Sequence, residues 1–381
     1  MQSPAAITPK PTRYKQLDSL RGLAALCVFI SHCFLMLSRA GTWVEPIKQS
    51  PLGILLNGRA AVMFFFVLSG FVLSLPFINS NRPLKLTEFY IKRVFRIYPA
   101  YLLAIVLAII LKTYVFQPGG NAGFSGWMTG FWGWPWDAVH RQEIVKTFLL
   151  IGPNFDADMI DPVIWSLVVE MKMSLLLPFF IIIVSRGNLL FNLLFFLLVL
   201  ALIYNHTNGF LGVFYIGVLC AKYKEPLTKA IKALNTAWVF ALLLLAMFCY
   251  NISFEFYTPW GDSAHPFAYF WRDYTNAIGG ALVMMMALAR VRAGNFLQQP
   301  VFNFMGDTSY SFYLLHMPLL ISFSSLFGQK FQGSAAAIIV LSIILAYALS
   351  YVVFKTIEIP FQTLAKKLVA KWPLLRTMDI K

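Results

Sequence analysis

Three ionisable side chains lie inside long apolar segments of the sequence, where they are better explained by chemistry than by solubility. His32 follows Arg21 in the stretch RGLAALCVFISH. On a helix the two side chains would lie within roughly 20° of each other and about 16 Å apart along the axis. Glu170 lies in WSLVVEMKM, and His316 lies in SYSFYLLHMPLL. Ionisable groups in hydrocarbon cost free energy, so their default interpretation is a functional cavity in which they find partners.

Imidazole and carboxylate groups in such a cavity would suit proton transfer or acyl transfer. A histidine can act as a general base, and it can also accept an acyl group as a nucleophile. The alternative is structural: the buried groups hydrogen-bond to one another, or Glu170 pairs with Lys172, and only hold helices together. A serine or cysteine nucleophile is not indicated, because Ser69 lies outside a G-x-S-x-G setting and Cys33 has no evident activating neighbour.

A basic stretch, FYIKRVFRIYPAY, supplies a candidate site for phosphate groups. Arg93 and Arg96 are three residues apart and therefore share a helix face. Arginine suits phosphate because its guanidinium can donate two parallel hydrogen bonds. Together with Arg21 these residues predict an anion-binding patch at the cytoplasmic mouth of the protein. The alternative is a positively charged anchor for the inner end of a membrane helix.

The composition indicates that most of the chain lies in lipid. Of its 381 residues, 59% are hydrophobic and 12% are charged, whereas a typical soluble domain has about 25% charged residues. The net charge of +15 is typical of basic cytoplasmic loops in a membrane protein, and nucleic acid is not expected as a partner. The four cysteines form no C-x-x-C pair, so neither a disulfide framework nor a metal site is predicted.

Hydropathy predicts an all-α, polytopic transmembrane helix bundle. A membrane-spanning helix needs roughly 20 mostly apolar residues. The segments between the spans alternate across the membrane, and most of the 31 lysines and arginines fall in those on the same side as the N-terminus. Basic segments are typically cytoplasmic, which predicts that both termini are cytoplasmic. About ten spans are predicted, at 20–38, 60–78, 98–116, 162–184, 189–204, 209–222, 236–251, 275–290, 308–327 and 335–354.

No internal repeat or linker divides the sequence, so a single domain over 1–381 is predicted. Cytoplasmic tails are expected at 1–16 and 360–381, and the largest outer loop at 117–161. That loop is rich in glycine and tryptophan. Its tryptophans could anchor at the lipid headgroups, or they could stack on a sugar and admit an acceptor.

Six blocks of this sequence resemble the membrane acyltransferases called acyltransferase family 3. The resemblance covers most of the chain, and six blocks in order are far more specific than one. The sequence departs from the family pattern at Met63, where an acidic residue is common, and just after Glu170. The blocks are LDSLRGLAALCVFISH (17–32), GRAAVMFFFVLSGFVLS (58–74), FYIKRVFRIYPAY (89–101), WSLVVEMKMSLLLP (165–178), SYSFYLLHMPLL (309–320) and FKTIEIPFQTL (354–364).

The resemblance implies transfer of an acyl group, usually acetyl from cytoplasmic acetyl-CoA, to a hydroxyl of a carbohydrate-type acceptor. It implies a multi-pass protein of the plasma membrane, in a bacterium the inner membrane, in contact with lipid and without a metal. The oligomeric state is left open. Our hypothesis for such a reaction assigns His32 and Glu170 to catalysis, Arg21, Arg93 and Arg96 to acyl-CoA binding, and Trp165, Ser166, Tyr313 and His316 to substrate binding.

The residues leave several mechanisms open. His32 could be a general base, or it could carry the acyl group itself. Ten spans with His32, Glu170 and His316 inside the membrane would also suit a proton-coupled transporter. Against that alternative, the sequence has no pair of interrupted half-sequences of the kind that many transporters contain. A protein that binds CoA without turning it over is a third possibility.

Overall fold

The computed structural model describes residues 14–37, 47, 51–78, 83–136, 141–150, 159–202, 206–255, 266–328, 335–371 and 379–380. The described residues are mostly helical, with a 3-10 helix at Pro51–Leu56 and a π-helical segment at Phe354–Glu358. In chain order, the α-helices are α1 Lys15–Leu37, α2 Gly58–Ser74, α3 Leu86–Tyr114, α4 Gly126–Thr129, α5 Arg141–Leu149, α6 Ile164–Arg186, α7 Leu189–Ala201, α8 His206–Lys222, α9 Lys224–Ala233, α10 Thr236–Glu255, α11 Pro266–Ala289, α12 Val291–Leu297, α13 Pro300–Phe327, α14 Ala335–Val353 and α15 Ile359–Lys371.

The helical, multi-pass architecture agrees with the prediction. Each predicted span coincides with a helix, namely α1, α2, α3, α6, α7, α8, α10, α11, α13 and α14. The span count of ten and the cytoplasmic location of both termini stay predictions. Within the described residues, β structure is limited to an antiparallel pairing of Leu84–Lys85 (β1) with Asp379–Ile380 (β2). Five helices in the described residues are long and apolar enough to cross a membrane: Lys15–Leu37, Leu86–Tyr114, Ile164–Arg186, Pro300–Phe327 and Ala335–Lys371.

Two helices extend beyond the predicted spans. The third span was predicted to begin at 98, but α3 begins at Leu86, so Arg93 and Arg96 belong to the same continuous helix as that span. An ion pair between Lys92 and Glu88, four residues apart, supports these first turns. At the other end of the chain, α14 continues through the π-helical segment into α15. The first part of the predicted C-terminal tail is therefore helical and packs against α3.

Helices α1 and α13 run parallel and approach closely through two glycines. A Cβ atom built on Gly22 would lie 2.4 Å from the carbonyl carbon of Met305 and 2.6 Å from the backbone nitrogen of Gly306. Small residues allow such backbone proximity between membrane helices. His32 and His316 each follow their glycine by ten residues, so the same parallel register brings the two histidines together.

The described part of the predicted outer loop folds back onto the helix ends. The backbone nitrogen of Ser125 donates to the carbonyl of Met36 at 2.9 Å, and its hydroxyl donates to the carbonyl of Leu35 at 2.7 Å. The Ser125 hydroxyl also accepts from the backbone nitrogen of Met128 and so caps the N-terminus of α4. These bonds fix α4, and with it Trp127, over the C-terminal end of α1.

Candidate active site

The centre of the site is a hydrogen-bonded pair of histidines. Nδ1 of His32 lies 3.0 Å from Nε2 of His316, and the two rings are nearly parallel at 14° with centroids 5.2 Å apart. Nδ1 of His316 lies 3.2 Å from the carbonyl oxygen of Phe312 on the preceding turn. His316 is fully buried, whereas His32 is only partly buried. The structure therefore brings together two of the three predicted intramembrane groups and leaves one ring accessible.

Aromatic rings surround the histidine pair. Phe29 and Tyr313 contact the ring of His316, with centroids 6.1 Å and 5.7 Å away. Trp127 lies against His32, with ring centroids 5.4 Å apart at an angle of 37°. Sequence reasoning identified the tryptophan-rich loop but did not single out Trp127. No local pattern marks this residue, because its contact depends on how the loop folds back onto α1.

Ser166 and Tyr313, two of the predicted substrate-binding residues, bond to each other. The Ser166 hydroxyl donates to the carbonyl of Val163 at 3.0 Å, and it lies 2.8 Å from the Tyr313 hydroxyl. The Tyr313 hydroxyl also lies 3.5 Å from the Val163 carbonyl, so either hydroxyl can be the donor of the bond between them. Both side chains are buried, and their bond joins α6 to α13 beside His316.

Trp165 belongs to a separate cluster that includes an ion pair. The guanidinium of Arg59 lies 5.1 Å from the Trp165 ring centroid and 5.4 Å from that of Phe210. Arg59 also donates two hydrogen bonds to the carboxylate of Asp273, at 2.9 Å and 2.7 Å. Sequence reasoning missed this pair, because the two residues are 214 positions apart and neither stood out in its segment.

Glu170 forms an ion pair with Arg93. Nη2 of Arg93 lies 2.7 Å from Oε1 of Glu170, which also accepts from the hydroxyl of Ser69 at 3.2 Å. Arg93 donates to the Ser174 hydroxyl through Nε at 3.0 Å and through Nη2 at 2.8 Å. The sequence had suggested Lys172 or a histidine as the structural partner of Glu170, and the structure places Arg93 there. Much of the hydrogen-bonding capacity of Arg93 is thus committed inside the protein.

The other two arginines of the predicted anion patch differ in their partners. Arg21 forms an ion pair with Asp18 at 3.1 Å, on the same helix. In the part of the chain that the structure describes, Arg96 makes no hydrogen bond or ion pair. Arg96 is partly buried and lines a cavity of about 500 Å³. The cavity combines apolar walls with cations, and its lining residues are Val72, Leu73, Pro76, Phe77, Pro83, Lys85, Glu88, Phe89, Lys92, Arg93 and Arg96.

A further carboxylate, Glu358, lies within electrostatic range of Arg21 and Arg96. It is 2% exposed, and its Oε1 accepts a hydrogen bond from the Ser311 hydroxyl at 2.6 Å. It ends the π-helical segment, a deviation that is frequent at functional sites. Sequence reasoning noted the surrounding block but gave Glu358 no role.

The site therefore has two levels. On α6, Glu170 follows Ser166 by four residues, about 6 Å along the helix axis. On α1, Arg21 and His32 are separated by about 16 Å along the axis. The arginines and carboxylates thus lie at the level predicted to be cytoplasmic. The histidine pair lies further along the bundle, beneath the folded-back loop.

The family comparison identifies the broad class of this protein. The profile of acyltransferase family 3, described as an acyltransferase domain, matches residues 14–355. The chain belongs to this family. The matched region includes both histidines and all three arginines of the site. Membership favours an acyltransferase over the transporter alternative.

Two curated proteins are similar to this chain. It is 27% identical to the peptidoglycan O-acetyltransferase OatA of Listeria monocytogenes over 188 residues, covering 46% of this chain and 26% of the relative. It therefore spans about a quarter of that protein's length. It is 24% identical to nodulation protein 10 of Rhizobium leguminosarum bv. viciae over 306 residues, covering 75% of this chain and 79% of the relative. No solved structure matches.

Proposed function

We propose that this protein is an integral-membrane O-acyltransferase that moves an acyl group, most simply acetyl, from cytoplasmic acyl-CoA to a hydroxyl of a carbohydrate-type acceptor. Family membership supports the reaction class, and the similarity to a peptidoglycan O-acetyltransferase supports a sugar acceptor. The observation that carries the proposal is the cavity with apolar walls that Arg96 lines without a hydrogen bond or ion pair to any residue that the structure describes. Its chemistry suits a donor that has phosphates at one end and a flexible apolar arm at the other.

Arg96 is the arginine best placed to bind a phosphate of the donor. Arg93 is held by Glu170 and Ser174, so fewer of its donors are free to bind a phosphate. Arg21 adds positive charge within electrostatic range of Arg96. The thioester would extend along α1 towards His32, which shares a helix face with Arg21.

The reaction at His32 has two balanced forms. As a general base, His32 takes the proton of the acceptor hydroxyl while the oxygen attacks the thioester carbonyl. The C–S bond then breaks, and CoA leaves as a thiol after receiving that proton. As an acyl carrier, the His32 ring forms a C–N bond with the thioester carbon as the C–S bond breaks, and CoA leaves as a thiolate. The acceptor oxygen then takes the acyl group as the C–N bond breaks, and the acceptor's proton passes to the thiolate. In either form, the ion pair with Glu170 holds the Arg93 side chain in place.

The proposal is tested with membranes that contain the wild-type chain or His32→Ala. Radiolabelled acetyl-CoA is supplied with peptidoglycan fragments and other soluble glycans, and both label transfer and free CoA thiol are measured. We expect His32→Ala to bind acetyl-CoA with unchanged affinity and to transfer no label above background. Cys33→Ala, a substitution of the buried neighbouring residue, is the matched control and should transfer label normally.

Two results would argue against the proposal. Equal transfer by His32→Ala and wild type would make His32 a packing residue and direct attention to Glu170. Failure of the wild-type chain to bind acetyl-CoA would remove the donor assignment altogether.

A further inference from the structure

The hydrogen bonds around His316 fix which of its nitrogens carries a proton. A carbonyl oxygen can only accept, so the contact between Nδ1 of His316 and the Phe312 carbonyl requires a proton on Nδ1. In a neutral imidazole the other nitrogen is then a bare acceptor. Nε2 of His316, which faces His32, therefore has a lone pair and no proton.

The same reasoning passes from His316 to His32. Two bare nitrogens 3.0 Å apart would repel each other, so Nδ1 of His32 must carry the proton that Nε2 of His316 accepts. A neutral His32 with its proton on Nδ1 has its lone pair on Nε2. The hydrogen bonds thus form a chain in which His32 donates to His316 and His316 donates to the Phe312 carbonyl. The basic nitrogen at the accessible end of this chain is Nε2 of His32.

The burial of the two rings agrees with His316 as the inner ring and His32 as the ring at the accessible end. His316 is fully buried and its ring is packed among Phe29, Phe312 and Tyr313, so it is screened from water. His32 is partly buried beside Trp127 and is the ring that a substrate could reach. A buried hydrogen bond to one ring nitrogen is a recognised means of setting the tautomer of a functional histidine.

We infer that His316 is a positioning residue, not a substrate-binding one: it holds His32 in the tautomer whose Nε2 lone pair acts on the hydroxyl or the thioester. The inference rests on the proposed function for its kinetic consequence, but the tautomer itself is independent of that function. His316 touches neither substrate in this scheme. It contributes through the orientation and the protonation pattern of His32.

The direct test is NMR of the chain labelled with ¹⁵N in its histidine rings, in detergent or nanodiscs. The chain has five histidines, and His32→Gln assigns the signals of His32 by difference. We expect wild-type His32 to show a protonated Nδ1 and an unprotonated Nε2. His316→Leu should give a mixture of both tautomers. A protonated Nε2 in wild-type His32 would overturn the inference.

The kinetic test separates positioning from packing. Gln can place an amide oxygen near the position of Nε2 and so accept from His32, whereas Leu cannot. We expect His316→Leu to lower kcat about 100-fold with little change in the KM for acetyl-CoA, and His316→Gln to recover much of that loss. Met317→Leu, a volume-conserving change at a buried neighbouring residue, is the control for packing of α13.

The outcomes distinguish this inference from the proposed function. Wild-type kcat in His316→Leu would overturn the positioning role, as would equal losses in the Leu and Gln variants. If the wild-type chain transfers no acyl group, the proposed function fails, and the NMR result still decides the tautomer.

Discussion

Gly22 and Gly306 lie backbone to backbone where α1 and α13 cross, ten residues before His32 and His316 respectively. Ten residues of α-helix rise about 15 Å, so in both helices the glycine contact is nearly three turns from the histidine contact. The close approach at the glycines therefore sets the distance and register of the two helices where the histidines meet. The packing of Gly22 against Gly306 therefore determines whether His32 and His316 can form their hydrogen bond.

Gly22→Ala tests this relationship. The new Cβ would meet backbone atoms of Met305 and Gly306, which cannot move without shifting a helix. We expect a loss of stability of about 1–3 kcal/mol, typical of overpacking, and a loss of acyl transfer as the histidines separate. Thermal unfolding in detergent and the transfer assay measure the two effects. Gly126→Ala is the control, because nothing lies within 4 Å of its added Cβ. Normal transfer by Gly22→Ala would contradict the argument.

Arg96→Ala should weaken donor binding without weakening the fold. The substitution removes from the cavity a cation that has no hydrogen bond or ion pair among the described residues, and a charge-assisted hydrogen bond contributes about 1.5–3 kcal/mol. We therefore expect the KM for acetyl-CoA to rise at least tenfold, with little change in the unfolding temperature. Arg292→Ala removes an exposed cation outside the cavity and serves as the control. The same KM in both variants would exclude Arg96 as a donor-binding residue.

Glu170→Gln should destabilise the protein by leaving Arg93 buried without its counter-charge. Removing one partner of a buried pair costs roughly 3 kcal/mol, whereas replacing both with apolar residues is often tolerated. Unfolding of Glu170→Gln and of the double variant Arg93→Met/Glu170→Leu in detergent measures the difference. We expect the double variant to be the more stable of the two.

The activity of that double variant then separates two roles of Glu170. A stable double variant that transfers acyl groups at the wild-type rate would show that Glu170 is structural. A stable but inactive one would show that Glu170 or Arg93 is needed for the reaction beyond its contribution to folding. If Glu170→Gln is as stable as the wild type, the ion pair contributes little and the expectation is wrong.

Trp127→Ala should affect the acceptor step more than donor binding. The Trp127 ring contacts the His32 ring, and we expect an acceptor that arrives from the loop side to meet Trp127. We expect the KM for a peptidoglycan fragment to rise several-fold, while the affinity for acetyl-CoA stays unchanged. Trp134→Ala is the matched control, since Trp134 belongs to the same loop and is 64% exposed. Equal effects of the two substitutions on the KM for the acceptor would show that Trp127 has no specific role in acceptor binding.

The sequence alone determined which segments form apolar helices. Hydrophobic length and composition report directly on the bilayer, so each predicted span coincides with a helix. Helical periodicity also placed Arg21 and His32 on one face of α1, because both residues belong to a single element. Helix ends were less well determined, and α3 begins before its predicted start because its first turns are amphipathic instead of apolar.

Only the tertiary structure decided the partners. His32 and His316 are 284 residues apart, and nothing in either segment says which helix is its neighbour or in what register. Arg93 and Arg96 look equivalent in sequence, yet Glu170 holds Arg93, while Arg96 lines the cavity and bonds to no side chain or carbonyl in the described ranges. The physical reason is that periodicity describes one helix at a time. Pairing depends on the distance and direction between helices, which contacts such as that of Gly22 with Gly306 set.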